Sequence, residues 1–390
     1  MTMIKHLSAT LAVLATALAT SMGAPQRENA ADSVPPLNSK GDVYKSEGEN
    51  DPLIYGNAVG KKKVIMVYLD FPDMEMEIDT QERASKVLGG DKFEELFRIQ
   101  SYGKLSFHIV HVHGWRRLPG KVGTYSSKTT ESHRDLFTEI FKIYPEINFR
   151  DYDYIVANMP KIGNTAFGER EDIAIPYRGT KIKVAMNISS ASPYVLAHEV
   201  GHLMGLPDLY TYGGVEGPKN PAGPWDLMSS AGSSSGFLGW HRHKLMWLDA
   251  DRKAYLTESK PSLELTPLSG SAGVSLVVIP IDDPTSPSKV FVVEVAQTRR
   301  MAEGQASEDE GVLVYSVDAT VASGHNPIVI YPNVDINAAA FHPGDQFTHD
   351  AAPFVMKVLR RLPAGGYSLD IQLNKLRPVP NAQGEPPTEE

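Results

Sequence analysis

The sequence contains no cysteine and no excess of positive charge, and these absences exclude several kinds of protein. Without cysteine there are no disulfides or thiolate ligands, so a bound metal must be held by nitrogen and oxygen atoms. The 38 Lys and Arg residues are outnumbered by 47 Asp and Glu, giving a net charge of −9. This balance argues against a nucleic-acid partner and against a polybasic membrane patch. The hydrophobic share of 42% and charged share of 22% are typical of a soluble globular protein.

Long hydrophobic runs are missing except near the N-terminus. There, Lys5 and His6 precede an apolar run from Leu7 to Ala19, and small residues follow. This layout is typical of a secretory signal peptide, here residues 1–23. The alternative is a membrane anchor, but the run is about 13 residues long against the roughly 20 that span a bilayer. We expect an exported protein without stable membrane insertion, extracellular or, in a Gram-negative host, periplasmic.

The rest of the chain divides by composition into four stretches. Residues 24–60 are rich in Pro, Asn, Ser, Gly and charge, which predicts a disordered leader or a short pro-segment. In residues 61–250, β-prone runs interleave with helical patterns, which predicts an α/β or α+β layer. Residues 251–375 hold short β-rich runs between Gly, Pro, Ser and Asp, which predicts an all-β, sandwich-like domain. Residues 376–390 read as a disordered tail.

The stretch "AHEVGHLMGLPDLY", residues 197–210, carries the clearest chemical pattern. On a helix, His198 and His202 lie one above the other on a single face, because they are four residues apart. Two imidazoles so placed can each direct a nitrogen at one ion about 2.0–2.1 Å away. Glu199 projects beside that face, where it is suited to act as general base for a metal-bound water.

A third protein ligand is needed, and the second half of the stretch offers one. Gly205 can adopt a positive φ and end the helix, and Pro207 stiffens the returning chain. Asp208 is the first charged side chain after this turn and can return to the metal. The alternative is a helix with two histidines satisfied by backbone or solvent. The added Glu, Gly and Asp at fixed offsets favour one catalytic zinc ion.

Several segments resemble one family of peptidases. "HEVGHLMGLPD" is similar to the Asp-ended zinc signature of metzincin-type enzymes. "VIMVYLDFPD", "SYGKLSFHIVHVHGWRRLPG" and "GPWDLMSSAGSSSGFLGWHRHKLMWLD" resemble the secreted immune inhibitor A-like metallopeptidases, over roughly residues 61–250 and weakly beyond. The resemblance implies a zincin, metzincin-like α+β catalytic domain, with a mixed twisted sheet and an active-site helix, and a zinc endopeptidase. Its partners would be protein or peptide substrates, and we expect a monomer.

The resemblance also implies a structural methionine. Members of this group carry a methionine in a tight turn beneath the zinc, and Met228 in "PWDLMSS" matches it. Met228 and Gly205, the residue that ends the helix, are the two residues expected to give structural support to the site. Some members place a tyrosine two residues after the methionine, where this chain has Ser230. No oxyanion-stabilising residue is therefore assigned. Tyr210 and Tyr212 are near in sequence, but a place in the core or at the rim is equally consistent with the pattern.

The sequence gives weaker support to two further metal sites. Relatives often have a longer Asp- and Gly-rich stretch where this chain retains Asp151 and Asp153, so a structural calcium ion there has little support. His111 and His113 face the same side of a strand. They form either a second metal-binding pair or part of a solvated face, and the latter is favoured because no carboxylate accompanies them.

Two alternatives to an enzyme remain open. One is a non-catalytic zinc-containing binding protein in which the β-rich domain is adhesive, but such a protein would lack the base or a ligand, and Glu199 is present. The other is a structural surface protein, which would hold no metal.

Overall fold

The computed structural model describes nine ranges of the chain, and the expected signal peptide and tail lie outside them. The described residues are 34–39, 45–50, 55–125, 130–160, 175–182, 185–232, 236–296, 310–363 and 365–374. Within these ranges, no helix is long and apolar enough to cross a membrane.

The first part of the described chain forms a parallel sheet with helices on both faces. Its elements are β1 (Gly60–Asp70), α1 (Thr80–Leu88), α2 (Lys92–Gln100), β2 (Leu105–Arg117), α3 (Thr130–Ile143), β3 (Tyr154–Asn158), β4 (Ile175–Tyr177), β5 (Thr180–Ile182), β6 (Ala185–Ile188) and α4 (Pro193–Leu203). The strand order is β2-β1-β3-β6, and β4 and β5 form a separate antiparallel pair. All described pairings in the four-stranded sheet are parallel, which differs from the mixed sheet that the resemblance implies. Helical crossovers explain this, because α1 and α2 return the chain from β1 to β2 and α3 returns it from β2 to β3.

Strand β1 is the centre of this layer. Its continuous apolar run is buried on both faces, as the sequence predicts for a central parallel strand. Met66 and Tyr68 belong to a core shared with α1, α2 and α4, whereas Ile65 and Val67 pack with α3 on the opposite face. The sheet therefore separates two cores, and α4 lies in the larger one.

The second part of the chain is β-rich. Its elements are α5 (Gly239–Lys244), β7 (Lys253–Tyr255), β8 (Lys260–Leu265), β9 (Leu276–Pro280), β10 (Lys289–Ala296), β11 (Gly311–Asp318), β12 (Ile328–Ile330), β13 (Gln346–Phe347), β14 (Phe354–Arg361) and β15 (Tyr367–Leu373). They form a five-stranded sheet in the order β12-β11-β10-β9-β7 and a four-stranded sheet in the order β13-β14-β15-β8. The described fold is thus a mixed α and β structure with several sheets and few helices.

The five-stranded sheet belongs to two cores at once. Phe291 and Val293 of β10 pack with side chains of the second β-rich sheet. Val290 and Val292, which alternate with them and so point to the other face, join the core that contains α4. The residues before and after position 250 therefore share one hydrophobic core, and the domain boundary at that position stays a prediction.

Parts of the polar N-terminal stretch are packed against the rest of the chain. Val34 and Leu37 are buried, and so are Lys45 and Glu47. The assignment of residues 24–60 as a disordered leader or a short pro-segment stays a prediction. Glu47 is satisfied inside the protein by His241, a contact distant in sequence that composition cannot reveal.

Candidate metal centre

Helix α4 begins as the sequence predicts and lies deep in the larger core. The Ser192 hydroxyl accepts the backbone N–H of Val195 at 3.4 Å, and Pro193 occupies the first turn. The helix packs against α1 and α2 and is buried from Leu196 to Leu203. Its histidines and glutamate are consequently held away from bulk water, with His198, Glu199 and His202 only 6–7% exposed.

The structure brings His198, His202 and Asp208 together. Asp208 Oδ1 lies 3.1 Å from His198 Nε2 and 3.2 Å from His202 Nε2. The imidazole rings are almost perpendicular, at 85°. Among the described residues, these three form the one group whose ligand atoms lie within 4.8 Å of one another and could hold a metal ion.

Backbone carbonyls determine which ring nitrogen faces Asp208. His198 Nδ1 contacts the Leu227 carbonyl at 3.0 Å, and His202 Nδ1 contacts the Leu206 carbonyl at 2.8 Å. A carbonyl oxygen only accepts, so each Nδ1 must carry its proton. In the neutral rings, both Nε2 lone pairs then point at the same carboxylate oxygen. Such an arrangement is repulsive unless a proton or a metal cation lies between these atoms, and metal-binding histidines are commonly oriented in this way.

The charges at the site favour a cation. Burial lowers the pKa of His198, but the adjacent Asp208 carboxylate and the charge of Glu199 overcome this effect and raise it to about 9. Burial raises the pKa of Asp208, yet the neighbouring imidazoles of His202 and His198 bring it well below its usual range. Asp208 therefore stays ionised, and the site attracts positive charge.

These three residues fit zinc. Bonds of about 2.1 Å in a tetrahedral site put neighbouring ligand atoms about 3.4 Å apart, close to the observed 3.1 and 3.2 Å. Two imidazoles and one carboxylate are a zinc-type donor set. The buried Glu199 Oε2 atom accepts no hydrogen bond from any residue that the structure describes, whereas Asp208 Oδ1 is contacted by the two imidazole Nε2 atoms. Buried polar atoms rarely remain unpartnered, so Glu199 Oε2 points to a missing partner.

The turn after α4 is built around Gly205. This glycine has φ +89°, a region that L side chains rarely adopt, and its N–H contacts the His202 carbonyl at 3.0 Å. The N–H of Leu206 closes the turn on the Gly201 carbonyl at 3.0 Å. Because the Leu206 carbonyl also holds His202, this turn both ends the helix and orients one histidine.

Met228 lies directly against the helix. A Cβ atom added to Gly201, between the two histidines, would stand 2.6 Å from Met228 Sδ. The preceding Leu227 holds His198 through its carbonyl, and Met228 O accepts the N–H of Leu209 at 3.1 Å. The methionine thus touches the helix between the two histidines. The close packing on Gly201 was not part of the sequence prediction.

A buried chain of charged groups supports the turn that contains Met228, the methionine turn. The Asp226 carboxylate accepts the N–H of Met228 and lies 2.9 Å from His241 Nδ1. His241 Nε2 is 2.9 Å from Glu47 of the N-terminal stretch. Burial lowers the pKa of His241, but Asp226 and Glu47 outweigh it and raise the pKa to about 10. Sequence reasoning missed this support, because Glu47 lies 194 positions before His241 in the chain.

Both tyrosines lie beside the ligands, each 38% exposed. Tyr212 donates its hydroxyl proton to Asp208 Oδ2 at 2.5 Å. The Tyr210 ring stacks on His198 with an angle of 22° between the planes. Burial and the charge of Asp208 raise the pKa of Tyr210, so its hydroxyl stays protonated. The structure therefore favours the rim over the core for both residues.

The second histidine pair, His111 and His113, has partners other than a metal ion. His111 and His113 stack at 5.2 Å, and their Nδ1 atoms contact the hydroxyls of Tyr68 and Thr80. Neither histidine belongs to a group of three metal ligands within the described ranges. The pair is accounted for by hydroxyl and ring contacts.

The two aspartates considered for calcium have other partners. Asp153 accepts the backbone N–H of Lys63 at 2.7 Å, and Asp151 accepts the Asn148 amide at 2.7 Å. The described residues thus give no support to a calcium site at this place.

Comparisons with solved structures and curated sequences add little. Inactive OgpA from Akkermansia muciniphila, in complex with an O-glycopeptide (glycodrosocin), is 12% identical, with 87% of this chain and 96% of that chain covered and a TM-score of 0.29. Wild-type OgpA from the same organism is 12% identical, with coverages of 82% and 96% and a TM-score of 0.28. A chaperone-substrate complex is 14% identical, with 40% and 25% covered and a TM-score of 0.21. TM-scores this low do not establish a shared fold. No curated protein matches significantly.

The family comparison is informative. Residues 165–260 match the family model described as immune inhibitor A peptidase M6, catalytic domain. The matched segment contains α4, Asp208, Met228 and α5. It confirms the resemblance inferred from the sequence motifs within residues 165–260, and it implies a metallopeptidase that hydrolyses proteins. Over this segment, the chain is similar to the catalytic domain of the immune inhibitor A M6 peptidases.

Proposed function

We propose that this protein is a secreted, zinc-dependent endopeptidase. The observation that carries the proposal is the convergence of two imidazole Nε2 atoms and one carboxylate oxygen, with backbone carbonyls holding the other ring nitrogens, which is a donor set that suits zinc. His198, His202 and Asp208 would hold one zinc ion, leaving a fourth position open. The match to an M6 peptidase catalytic domain supports a peptidase rather than a structural zinc site.

Each residue has a definite chemical task in this proposal. When bound, zinc supplies a Lewis acid that polarises the peptide carbonyl and activates a water molecule. Glu199 accepts the proton of that water and passes it to the leaving amine. Its unpartnered Oε2 atom and its burial suit this role, since a proton acceptor must not be occupied by another donor. Asp208 and the histidines stay fixed during these transfers because carbonyls and Tyr212 hold them.

The substrate would bind along β6. Among the described strands, β6 is an edge of the parallel sheet, since its only described neighbour is β3. An extended peptide can add to such an edge through backbone hydrogen bonds. Substitutions at alternate positions of Ala185–Ile188 should then change the residues preferred around the cleavage site. An unchanged preference for every variant would refute this mode of binding.

The proposal includes the organisation of the chain. Residues 1–23 would be a signal peptide removed on export, residues 61–250 a metzincin-like catalytic domain, and residues 251–375 an all-β, sandwich-like domain. The core between the two β-rich sheets supports the last assignment. We propose a monomer that is released outside the cell, or into the periplasm of a Gram-negative host.

Glu199 gives the sharpest test. The chain from residue 24 onward is purified, its zinc content is measured, and cleavage of an unfolded protein is compared between wild type and Glu199→Ala. Loss of a general base is expected to reduce the rate by at least about 10²-fold while zinc is retained. Glu94→Ala, on the exposed side of α2, is the matched control and should behave as wild type.

Two results would overturn the proposal. Equal cleavage by wild type and Glu199→Ala would refute the role of the glutamate. Cleavage by a metal-free wild-type chain would refute the zinc mechanism as a whole. A wild-type chain that binds zinc but cleaves no protein would instead favour the zinc-containing binding protein.

A further inference from the structure

The proposed third ligand is held by a loop from the distant β-rich part of the chain. This β11–β12 loop, residues 319–327, joins two antiparallel strands of the five-stranded sheet. The backbone N–H of Asp208 donates to the Ser323 hydroxyl at 2.9 Å, and the carbonyl of Asp208 accepts the N–H of Gly324 at 2.9 Å. Ser323 is 3% exposed, so the contact is inside the protein. Both backbone polar groups of one proposed metal ligand are thus fixed by the same loop.

The loop reaches the carboxylate as well, through Tyr212. The Tyr212 hydroxyl donates to Asp208 Oδ2 and lies 3.2 Å from the Ser323 hydroxyl. The N–H of Tyr212 donates to the Gly324 carbonyl at 2.9 Å. A Cβ atom on Gly324 would stand 2.3 Å from the Tyr212 ring, so only glycine permits this approach. With Oδ2 occupied by Tyr212, Oδ1 is the oxygen that faces both histidines.

Asp208 needs such external support because its own segment has little regular structure. Between the end of α4 and the start of α5 there is one short 3-10 turn, Gly223–Trp225, in the described residues. The β11–β12 loop is anchored much better. Val317 pairs with Ile328 across the two strands, and the N–H of Asp318 donates to the Pro327 carbonyl at 2.9 Å. The sheet can therefore act as a rigid frame for the ligand.

We propose that the β11–β12 loop is part of the metal centre and that Ser323 is a positioning residue for Asp208. This inference rests on the proposed function, since it assigns a role toward the same zinc ion. It gives the β-rich region a task in metal binding, in addition to packing on the core. Residues that orient a metal ligand typically contribute 10- to 100-fold to metal affinity.

Zinc affinity tests the proposal without relying on activity. Full-length wild type and Ser323→Ala are stripped of metal, and zinc affinity is measured by competition with a chromogenic chelator. We expect Ser323→Ala to bind zinc at least about tenfold more weakly. The visible spectrum of the cobalt-substituted protein should also change, because it reports ligand geometry. The matched control is Thr320→Ala in the same loop, whose hydroxyl bonds to Asp318 rather than to the site, and it should match wild type.

A second variant distinguishes the loss of support for Asp208 from misfolding of the protein. Tyr212→Phe, at the more exposed rim, removes only the hydroxyl that holds Oδ2, and it should weaken zinc binding in the same direction. Unchanged zinc affinity and cobalt spectrum in Ser323→Ala would overturn the proposal. An equal loss in Thr320→Ala would also overturn it, since the effect would then be general loosening of the loop. If wild type binds zinc but cleaves no protein, the peptidase proposal fails, while this affinity comparison still decides the role of Ser323.

Discussion

His198 and His202 each direct one ring nitrogen at a backbone carbonyl and the other at Asp208. When no metal is bound, the negative charge of the Asp208 carboxylate must be balanced in another way, and a proton on His198 balances it. With its pKa at about 9, His198 is protonated at neutral pH when no metal is bound. Zinc binding therefore has to displace that proton.

This displacement can be measured. At pH 7.5, binding of zinc to the metal-free protein should release about one proton per ion, and fewer at pH 10, where His198 has already lost its proton. Calorimetric titrations in buffers with different ionisation enthalpies give the number of protons directly. Zinc binding without proton release at pH 7.5 would show that His198 is neutral in the metal-free protein.

Gly205 provides a second test at the level of single residues. Alanine there would have to adopt φ +89°, and its Cβ would lie 2.5 Å from Asn50 Oδ1, which is tied to the Met204 carbonyl through the same side-chain amide. We expect Gly205→Ala to lower the free energy of unfolding by about 1–3 kcal/mol. Urea unfolding would measure this.

The control lies a few residues along the same loop. A Cβ on Gly213 meets nothing within 4 Å, so Gly213→Ala should change stability by less than about 0.5 kcal/mol. If both alanine variants were equally stable, the turn after α4 would not require glycine.

At the scale of elements, α4 and the methionine turn fit closely at one point. Alanine at an ordinary helix position is more stable than glycine by about 1 kcal/mol. At Gly201 we expect the reverse, because the new Cβ would approach Met228 Sδ at 2.6 Å. Gly201→Ala should destabilise the protein by about 1–3 kcal/mol and weaken zinc binding, since the overpacking displaces a helix that carries two ligands.

A double-mutant cycle separates this contact from helix propensity. Met228→Ala removes the clashing sulfur, so Gly201→Ala should cost less in the Met228→Ala background than in wild type. The interaction energy is expected to be about 1 kcal/mol or more. Additive effects would mean that the helix and the methionine turn are not coupled through this contact.

Elements with strong local signals were predictable from the sequence. Ser192 and Pro193 marked the start of α4, and the unbroken apolar run marked β1 as a central strand. The parallel direction of the strands was harder to predict, because parallel pairing depends on crossovers that no single strand reveals. The candidate ligands could be predicted from their spacing. The carbonyls of Leu206 and Leu227 could not, since every residue has one and only the fold selects them.

At the scale of the whole molecule, partners distant in sequence were the part that could not be predicted. Glu47 lies in a polar stretch that resembles a disordered leader, yet it contacts His241, 194 positions along the chain. Ser323 and Asp208 are 115 positions apart. Such pairs leave no periodic pattern, because each residue alone is an ordinary polar residue. They connect the N-terminal stretch and the β-rich region to the candidate site.

Glu294 makes another long-range connection, with a consequence for stability. It is a buried residue of β10 that accepts the Tyr315 hydroxyl at 2.6 Å and the N–H of Gly239 at the start of α5. Burial raises its pKa from 4.5 to about 7, although the hydrogen bonds from Tyr315 and Gly239 oppose this. The folded chain therefore keeps a proton that the unfolded chain loses as the pH rises from 4.5 to 7, so stability falls over this interval.

For wild type, Glu294 should contribute a loss on the order of 3 kcal/mol in the free energy of unfolding between pH 4.5 and pH 8. Glu294→Gln cannot ionise and should lack this contribution, so it should gain stability relative to wild type as the pH rises. Urea unfolding at pH 5 and pH 8 measures both proteins. A parallel decline in the two would show that Glu294 does not titrate in this range.

In the proposed mechanism, His198, His202 and Asp208 bind one catalytic metal ion, and the zinc content of the purified protein shows whether they do. Wild type and Asp208→Ala are prepared under the same conditions, and zinc is measured by elemental analysis, with circular dichroism to confirm that both are folded. We expect one zinc ion per wild-type chain and a large loss of zinc from the variant. Equal zinc in the two proteins, or none in wild type supplied with zinc, would refute the metal site.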